Sequence, residues 1–289
     1  MTAADHNFLW NEAVPTGLET LHPGLVQILA FTHNRSPKLI GTGFIVAANS
    51  DHAIVITAAH NFHEGVRNAQ FPKDYRHPSA LPEFLKEISI DPSKVRAVHR
   101  KQQAVEVCVI EFVAWDEASD LAVMKIVPQD RVSNRFDTFF RMKRESVEVG
   151  SEVGLIGYGD MAVVSEQMDG DKGQFSTESR VVFRRGVITK IHPEGYSLCR
   201  TRCVETNIPV FSGMSGGPVF IIPDDDEDMI PFGLVSFDPE PEGVSAKYDR
   251  SIAGRSVAAM LPTRITEITT DKRGVLFNFG EKTVVLKGS

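Results

Sequence analysis

Short runs rich in Val, Ile and Phe recur along the chain, separated by Gly, Pro and polar residues, and this pattern most limits the possible folds. Examples are Leu25–Phe31, Gly43–Val46, Ala53–Thr57, Val105–Phe112, Leu121–Val127, Val153–Tyr158, Gly186–Ile191, Pro218–Ile222 and Gly233–Phe237. Runs of strand length bounded by turn residues predict β-strands, and their recurrence predicts an all-β barrel or sandwich. Long amphipathic helical patterns are scarce, and no solenoid-type repeat is present. The longest apolar run near the start, Ala53–Ala59, is far below the roughly 18 residues a membrane helix needs, so no membrane partner is expected. With 289 residues the chain suits one large domain or two small ones.

Charge and cysteine usage narrow the setting. The net charge of −7 and a pI near 5.7 argue against nucleic acid as the main partner. The first Lys or Arg is Arg35, preceded by Asp5, Glu12 and Glu19, so the start lacks the basic region of a secretory signal. Cys108, Cys199 and Cys203 are three in number and cannot form a closed disulfide framework. A reducing cytoplasm is the expected compartment. Cys199 and Cys203 with His192 match no common zinc spacing, so they read as buried or surface thiols, and no metal site is expected.

Two stretches interrupt the strand pattern. Residues 63–104 are polar, carry Pro72, Pro78, Pro82 and Pro92, and read as an insertion with one short helix near Pro82–Ile88. They hold eight Lys/Arg against five Asp/Glu. A solvated loop is the favoured reading, and an exosite for an acidic partner is the alternative. The acidic run Asp224–Asp228 reads as a solvated hairpin tip, because a calcium loop needs ligands alternating around a Gly turn. At the other end, Gly274–Leu286 has apolar runs on both sides of Asn278-Phe279-Gly280-Glu281, which predicts a terminal hairpin.

The chemistry-bearing signal is Gly213-Met214-Ser215-Gly216-Gly217-Pro218. A Ser between glycines sits on a tight turn where positive φ and close backbone approach are allowed. Such a turn aims two N–H groups at one point, as an oxyanion hole requires; alone, the string would equally read as a Gly-rich hairpin turn. Upstream lie Gly41-Thr42-Gly43-Phe44 and Thr57-Ala58-Ala59-His60, the latter ending an apolar strand. Between them and the Ser comes Asp120-Leu121-Ala122-Val123. By themselves His60 reads as a strand-end histidine and Asp120 as a turn carboxylate. Asp116 and Ser212 are the local rivals; Asp116 precedes no apolar strand and Ser212 lacks the glycine frame.

Taken in order, GTGF, TAAH, DLAV and GMSGGP resemble the strings GSGF, TAAH, DLAV and GNSGGP of trypsin/chymotrypsin-fold serine proteases. The likeness is greatest to non-secreted trypsin-like peptidases and to the protease domain of the high-temperature-requirement family. It runs from about Leu25 to Pro262. Sixty residues separate His60 from Asp120 and 95 separate Asp120 from Ser215, the first interval being lengthened by the insertion. The resemblance implies an all-β fold of two packed six-stranded antiparallel β-barrels, with a short C-terminal helix before the terminal hairpin. The expected division is an N-terminal extension at 1–20, a first barrel at 21–135 with His60 and Asp120, a second at 145–265 with Ser215, and a C-terminal extension at 266–289. With 27 residues after Pro262, no PDZ-like domain is expected.

By the same resemblance, His60 is the general base, Asp120 its orienting acid and Ser215 the nucleophile. The N–H groups of Gly213 and Ser215 form the oxyanion hole, and neither a metal nor an organic cofactor is needed. Met214 stands where secreted relatives carry an Asp that pairs with a newly cleaved N-terminus. Asn61 replaces the familiar cysteine after the catalytic His. Control is therefore expected from elsewhere, with a regulatory protein partner one candidate. Pro209, six before Ser215, falls at the floor of the primary pocket, which speaks against a salt bridge to Arg or Lys there. Ser236, Phe237 and Asp238 fall on the substrate-pairing strand, so a protein or peptide substrate with an apolar or small residue before the cut is expected. The overall expectation is a gated cytoplasmic serine endopeptidase; the alternative is an inactive protease-fold binding module.

Overall fold

The computed structural model describes residues 9–10, 22–31, 36–62, 94–101, 104–116, 118–129, 136, 139–141, 146–169, 172–222, 229–237, 255–261, 265–270, 274–279 and 282–285. After a two-residue strand β1 (Leu9–Trp10), six strands build a first closed barrel. They are β2 (Leu25–Phe31), β3 (Pro37–Ala48), β4 (Ala53–Ala58), β5 (Val95–Lys101), β6 (Ala104–Asp116) and β7 (Leu121–Pro128). The ring runs β2-β3-β4-β7-β6-β5 and closes through the antiparallel β2–β5 pair.

Six further strands make the second barrel: β8 (Glu152–Asp169), β9 (Lys172–His192), β10 (Cys203–Thr206), β11 (Pro218–Ile221), β12 (Pro231–Phe237) and β13 (Ser256–Met260). Their order is β9-β10-β13-β12-β11-β8, closed by β8 pairing with β9, while β1 adds to β9 in parallel. The all-β, two-barrel architecture implied by the resemblance is thus present.

Strand alternation explains why the apolar runs are continuous. In β4, Ala53 and Val55 point into the first barrel, where Val26, Ile28, Ile45, Met124 and Ile126 join them. Ile54, Ile56 and Ala58 point the other way, into a second core shared with Ile156, Phe183, Phe220 and Leu234 of the second barrel. A strand buried on both faces has no polar face to alternate with. The second barrel has its own filling of Val153, Leu155, Val204, Met214, Val219 and Phe232. Phe140, from the connection between barrels, meets Phe44 edge-on at 5.6 Å and stacks on Phe220 at 6.1 Å.

Four expectations need correction or lie out of view. The stretch read as a 63–104 insertion ends earlier, because Val95–Lys101 is the barrel strand β5, paired with both β2 and β6. Its charged residues hid it: β5 reads VRAVHRK. The short helix near Pro82–Ile88 and the acidic run Asp224–Asp228 lie outside the described residues. The short C-terminal helix is not found among the described residues; instead β14 (Ile265–Thr270), β15 (Gly274–Phe279) and β16 (Lys282–Val285) form an antiparallel sheet. Its β15–β16 pair, with Phe279 opposite Lys282, is the predicted terminal hairpin. The sequence also concealed the length of the β8–β9 hairpin, which runs well past the apolar segments Val153–Tyr158 and Gly186–Ile191. Its outer part exposes Ala162 and Val164, and beyond them the polar Ser165, Glu166 and Gln167, which give no sequence signal of a strand.

Candidate active site

The three motif residues converge where the barrels meet. His60 follows β4, and the N–H of Ala59 just before it donates to the Asp120 carbonyl at 3.0 Å. Asp120 sits in the turn just before β7 with φ +52°, a left-handed conformation that Asp tolerates better than most residues. That bend aims its carboxylate back at His60. The His60 ring Nδ1 lies 2.9 Å from Oδ2 and 3.1 Å from Oδ1, and the His60 N–H donates to Oδ1 at 3.0 Å. The Ser236 hydroxyl donates to Oδ2. Asp120 is 3% exposed, so these donors replace the water its charge has lost. With Nδ1–H on the carboxylate, Nε2 carries the lone pair of the ring and is the nitrogen able to accept a proton.

Asp116, the rival acid, accepts from the Ala118 N–H at 3.2 Å and the Ser119 hydroxyl at 2.9 Å, closing its own turn. Ser212, the rival nucleophile, is exposed on the loop before Gly213.

Ser215 sits on a turn framed by Gly213 (φ +97°) and Gly216 (φ +87°). A Cβ on Gly213 would stand 2.8 Å from the carbonyl oxygens of Tyr158 and Gly159, so only glycine fits there. Among the described residues, neither the Gly213 N–H nor the Ser215 N–H has a hydrogen-bond acceptor. Two unengaged donors around a half-buried serine hydroxyl are what a developing oxyanion needs. The Ser215 hydroxyl donates to the Ser236 carbonyl at 3.4 Å, and among the described residues it makes no hydrogen bond with the His60 ring.

The first barrel also grips the serine turn. The Ser215 carbonyl accepts from the Thr42 N–H at 2.8 Å and from Asn61 Nδ2 at 3.0 Å. Asn61 Nδ2 donates as well to the Thr57 hydroxyl at 2.9 Å, and that hydroxyl donates to the Thr42 carbonyl at 2.6 Å. The Thr42 hydroxyl donates to the Gly213 carbonyl at 2.7 Å and accepts from the Tyr158 N–H at 2.8 Å. Thr42, Thr57 and Asn61 are all buried. Sequence reasoning did not single them out for this, although a Thr inside an apolar strand is a signal, since buried hydroxyls need partners.

The residues expected to bind substrate fare unequally. Ser236 is buried beneath the site with its hydroxyl on Asp120 and its carbonyl on Ser215. Phe237 ends β12, in register with Val257. Asp238 lies outside the described residues. Pro209 is half-buried, and its carbonyl accepts from Arg184 at 3.4 Å. His192, Cys199 and Cys203 have partners within the protein: His192 Nε2 faces Glu205 Oε2 at 3.1 Å, and Glu205 also pairs with Arg255 at 2.9 Å. Cys199 and Cys203 are buried in the inter-barrel core. Their mutual hydrogen bond, together with burial, raises the Cys199 thiol above its ordinary range, while the same bond lowers Cys203. Among the described residues no cluster of His, Cys, Asp or Glu could hold a metal.

A search of curated protein sequences gives no match. Among solved structures, the MamO protease domain from Magnetospirillum magneticum in its apo form is similar at 15% identity, covering 85% of this chain and 94% of that one with a TM-score of 0.46. Human heparin binding protein is similar at 16% identity over 83% of this chain and 86% of its own, TM-score 0.45. The active form of the Rv3671c protease from M. tuberculosis is similar at 15% identity over 84% and 78%, TM-score 0.43. The trypsin-like peptidase domain family matches residues 41–227, well over half of the sequence and all three converging motifs. The chain belongs to the trypsin-like peptidase domain family.

Proposed function

We propose that this protein is a serine endopeptidase that hydrolyses peptide bonds of a protein substrate through an acyl-enzyme on Ser215. The observation that carries this reading is the His60 Nδ1–Asp120 contact at 2.9 Å beside a serine whose own N–H, like that of Gly213, has no acceptor among the described residues. In the first step His60 Nε2 takes the Ser215 proton as Oγ bonds to the substrate carbonyl carbon. The carbonyl oxygen, now negative, is held by the N–H groups of Gly213 and Ser215. His60 then passes that proton to the departing amine, the C–N bond breaks and an ester remains. Water repeats the sequence, with His60 as base again, and frees the acid. Asp120 holds the ring tautomer and offsets the imidazolium charge.

The substrate backbone pairs with the end of β12 at Ser236 and Phe237, as an added strand. The Pro209 position puts no acid at the pocket floor, so the residue before the cut is apolar or small. Met214 is buried and uncharged, which supports gating by a partner protein rather than by N-terminal trimming. The low cysteine count supports a cytoplasmic setting, testable by fractionation.

One observation favours a second reading, a binding module without turnover: the Ser215 hydroxyl is engaged by the Ser236 carbonyl and not by His60. Catalytic hydrogen bonds often tighten only with substrate bound, so this does not displace the first. Labelling purified protein with a fluorophosphonate probe separates the two. The expected result is labelling of the wild type that disappears in Ser215→Ala and His60→Ala. A wild type that stays unlabelled, alone and with cell lysate added, would overturn the peptidase reading.

A further inference from the structure

We propose that Thr42, on the first barrel, positions the oxyanion loop of the second, doing through a neutral hydroxyl what an ion pair to residue 214 would otherwise do. The inference rests on the peptidase reading for its catalytic consequence, though not for its structural one. Gly213 lies in the left-handed region at φ +97°, and a glycine there pays no steric penalty for rotating into other conformations. Something must hold the Gly213–Met214 peptide so that the N–H groups of Gly213 and Ser215 face the same point. Met214 offers no charge for that purpose; its side chain is fully buried in the second barrel.

Thr42 supplies the constraint on both sides of Met214. Its hydroxyl donates to the Gly213 carbonyl at 2.7 Å, and its N–H donates to the Ser215 carbonyl at 2.8 Å. Fixing those two carbonyls fixes the peptide planes that flank the loop's turning residues. The hydroxyl is itself held, because it accepts from the Tyr158 N–H at 2.8 Å. Thr42 is 0% exposed, so no bulk water competes for these bonds. Gly157 lets β8 come close enough for the arrangement; a Cβ there would stand 3.1 Å from the Met214 Cα and 3.2 Å from the Thr42 hydroxyl. The loop is thereby tied to β3 and β8 at once, and its geometry depends on how the two barrels are docked.

The test compares Thr42→Val, which keeps the shape and removes the hydroxyl, with Thr42→Ser, which keeps the hydroxyl. Thr42→Ala serves in place of the Val variant if that variant fails to fold. Two readouts are taken on the full chain. The first is deuterium exchange over residues 210–217, which needs no activity; exchange at least 10-fold faster in Thr42→Val, with Thr42→Ser near wild type, is expected. The second is turnover of a peptide ester: kcat lower by about 10- to 100-fold in Thr42→Val with KM little changed, and restored in Thr42→Ser. Wild-type exchange in Thr42→Val, or equal loss in both variants, overturns the proposal. Faster exchange in the Val variant of a wild type that never turns over supports the positioning role and places the failure with the peptidase reading.

Discussion

Asp120 concentrates the residue-scale physics of this site. It is nearly sealed from water, bent to φ +52°, and held by the His60 ring, the His60 N–H and the Ser236 hydroxyl. An amide in its place would present a donor where Nδ1–H needs an acceptor, forcing the ring into the other tautomer. Asp120→Asn should therefore lower kcat by about 10⁴-fold, the size of effect such a change has in a working triad, with KM little altered. A steady-state assay on a peptide ester checks this, and a loss under 10-fold would mean the carboxylate does not set the tautomer. Local strings made Asp120, His60 and Ser215 legible, because each needs particular neighbours to form its turn. Their supporting partners were not legible. Ser236 is 116 residues from Asp120, Asn61 is 154 from Ser215 and Thr42 is 171 from Gly213. No local pattern encodes a hydrogen bond across such a separation.

At the scale of elements, burial on both faces made most barrel strands readable, while polar strands escaped. β5 buries Val95, Ala97 and Val98 but carries Arg96, Arg100 and Lys101 among them, and the outer β8–β9 hairpin is held by its own pairing. β6 carries a consequence for stability. Its Cys108 is fully buried, and burial, with Glu106 nearby, pushes the thiol from 9.0 up to about 12. Above pH 9 the unfolded chain releases this proton while the folded one keeps it. The stabilisation is thus complete below about pH 9 and is lost as pH climbs toward 12, at up to ~1.4 kcal/mol per pH unit. Urea midpoints measured from pH 8 to 11 should fall, and a Cys108→Ala variant, though less stable at pH 8, should fall less steeply. Parallel slopes for the two proteins would refute the assignment.

At the scale of the whole molecule, the two barrels share an apolar seam, and Phe140 spans it from the connection between them. Its ring touches Phe44 on one side and Phe220 on the other, and its N–H donates to the Ile45 carbonyl at 2.8 Å. Phe140→Ala should cost about 3–5 kcal/mol in a denaturation experiment, and activity should fall with it, since His60 and Ser215 come from opposite sides of the seam. A loss below about 1 kcal/mol would show that the barrels dock without this ring. The amino-acid order alone determined the strand-rich class, the three motif residues His60, Asp120 and Ser215 and the glycine frame, because turn chemistry and alternation act over a few residues. Only the tertiary structure decided which strands close each barrel, how far the β8–β9 hairpin extends, and which buried hydroxyls and amides brace the serine turn. Those features depend on contacts between segments far apart in the chain, and such contacts exist only once the two barrels have packed.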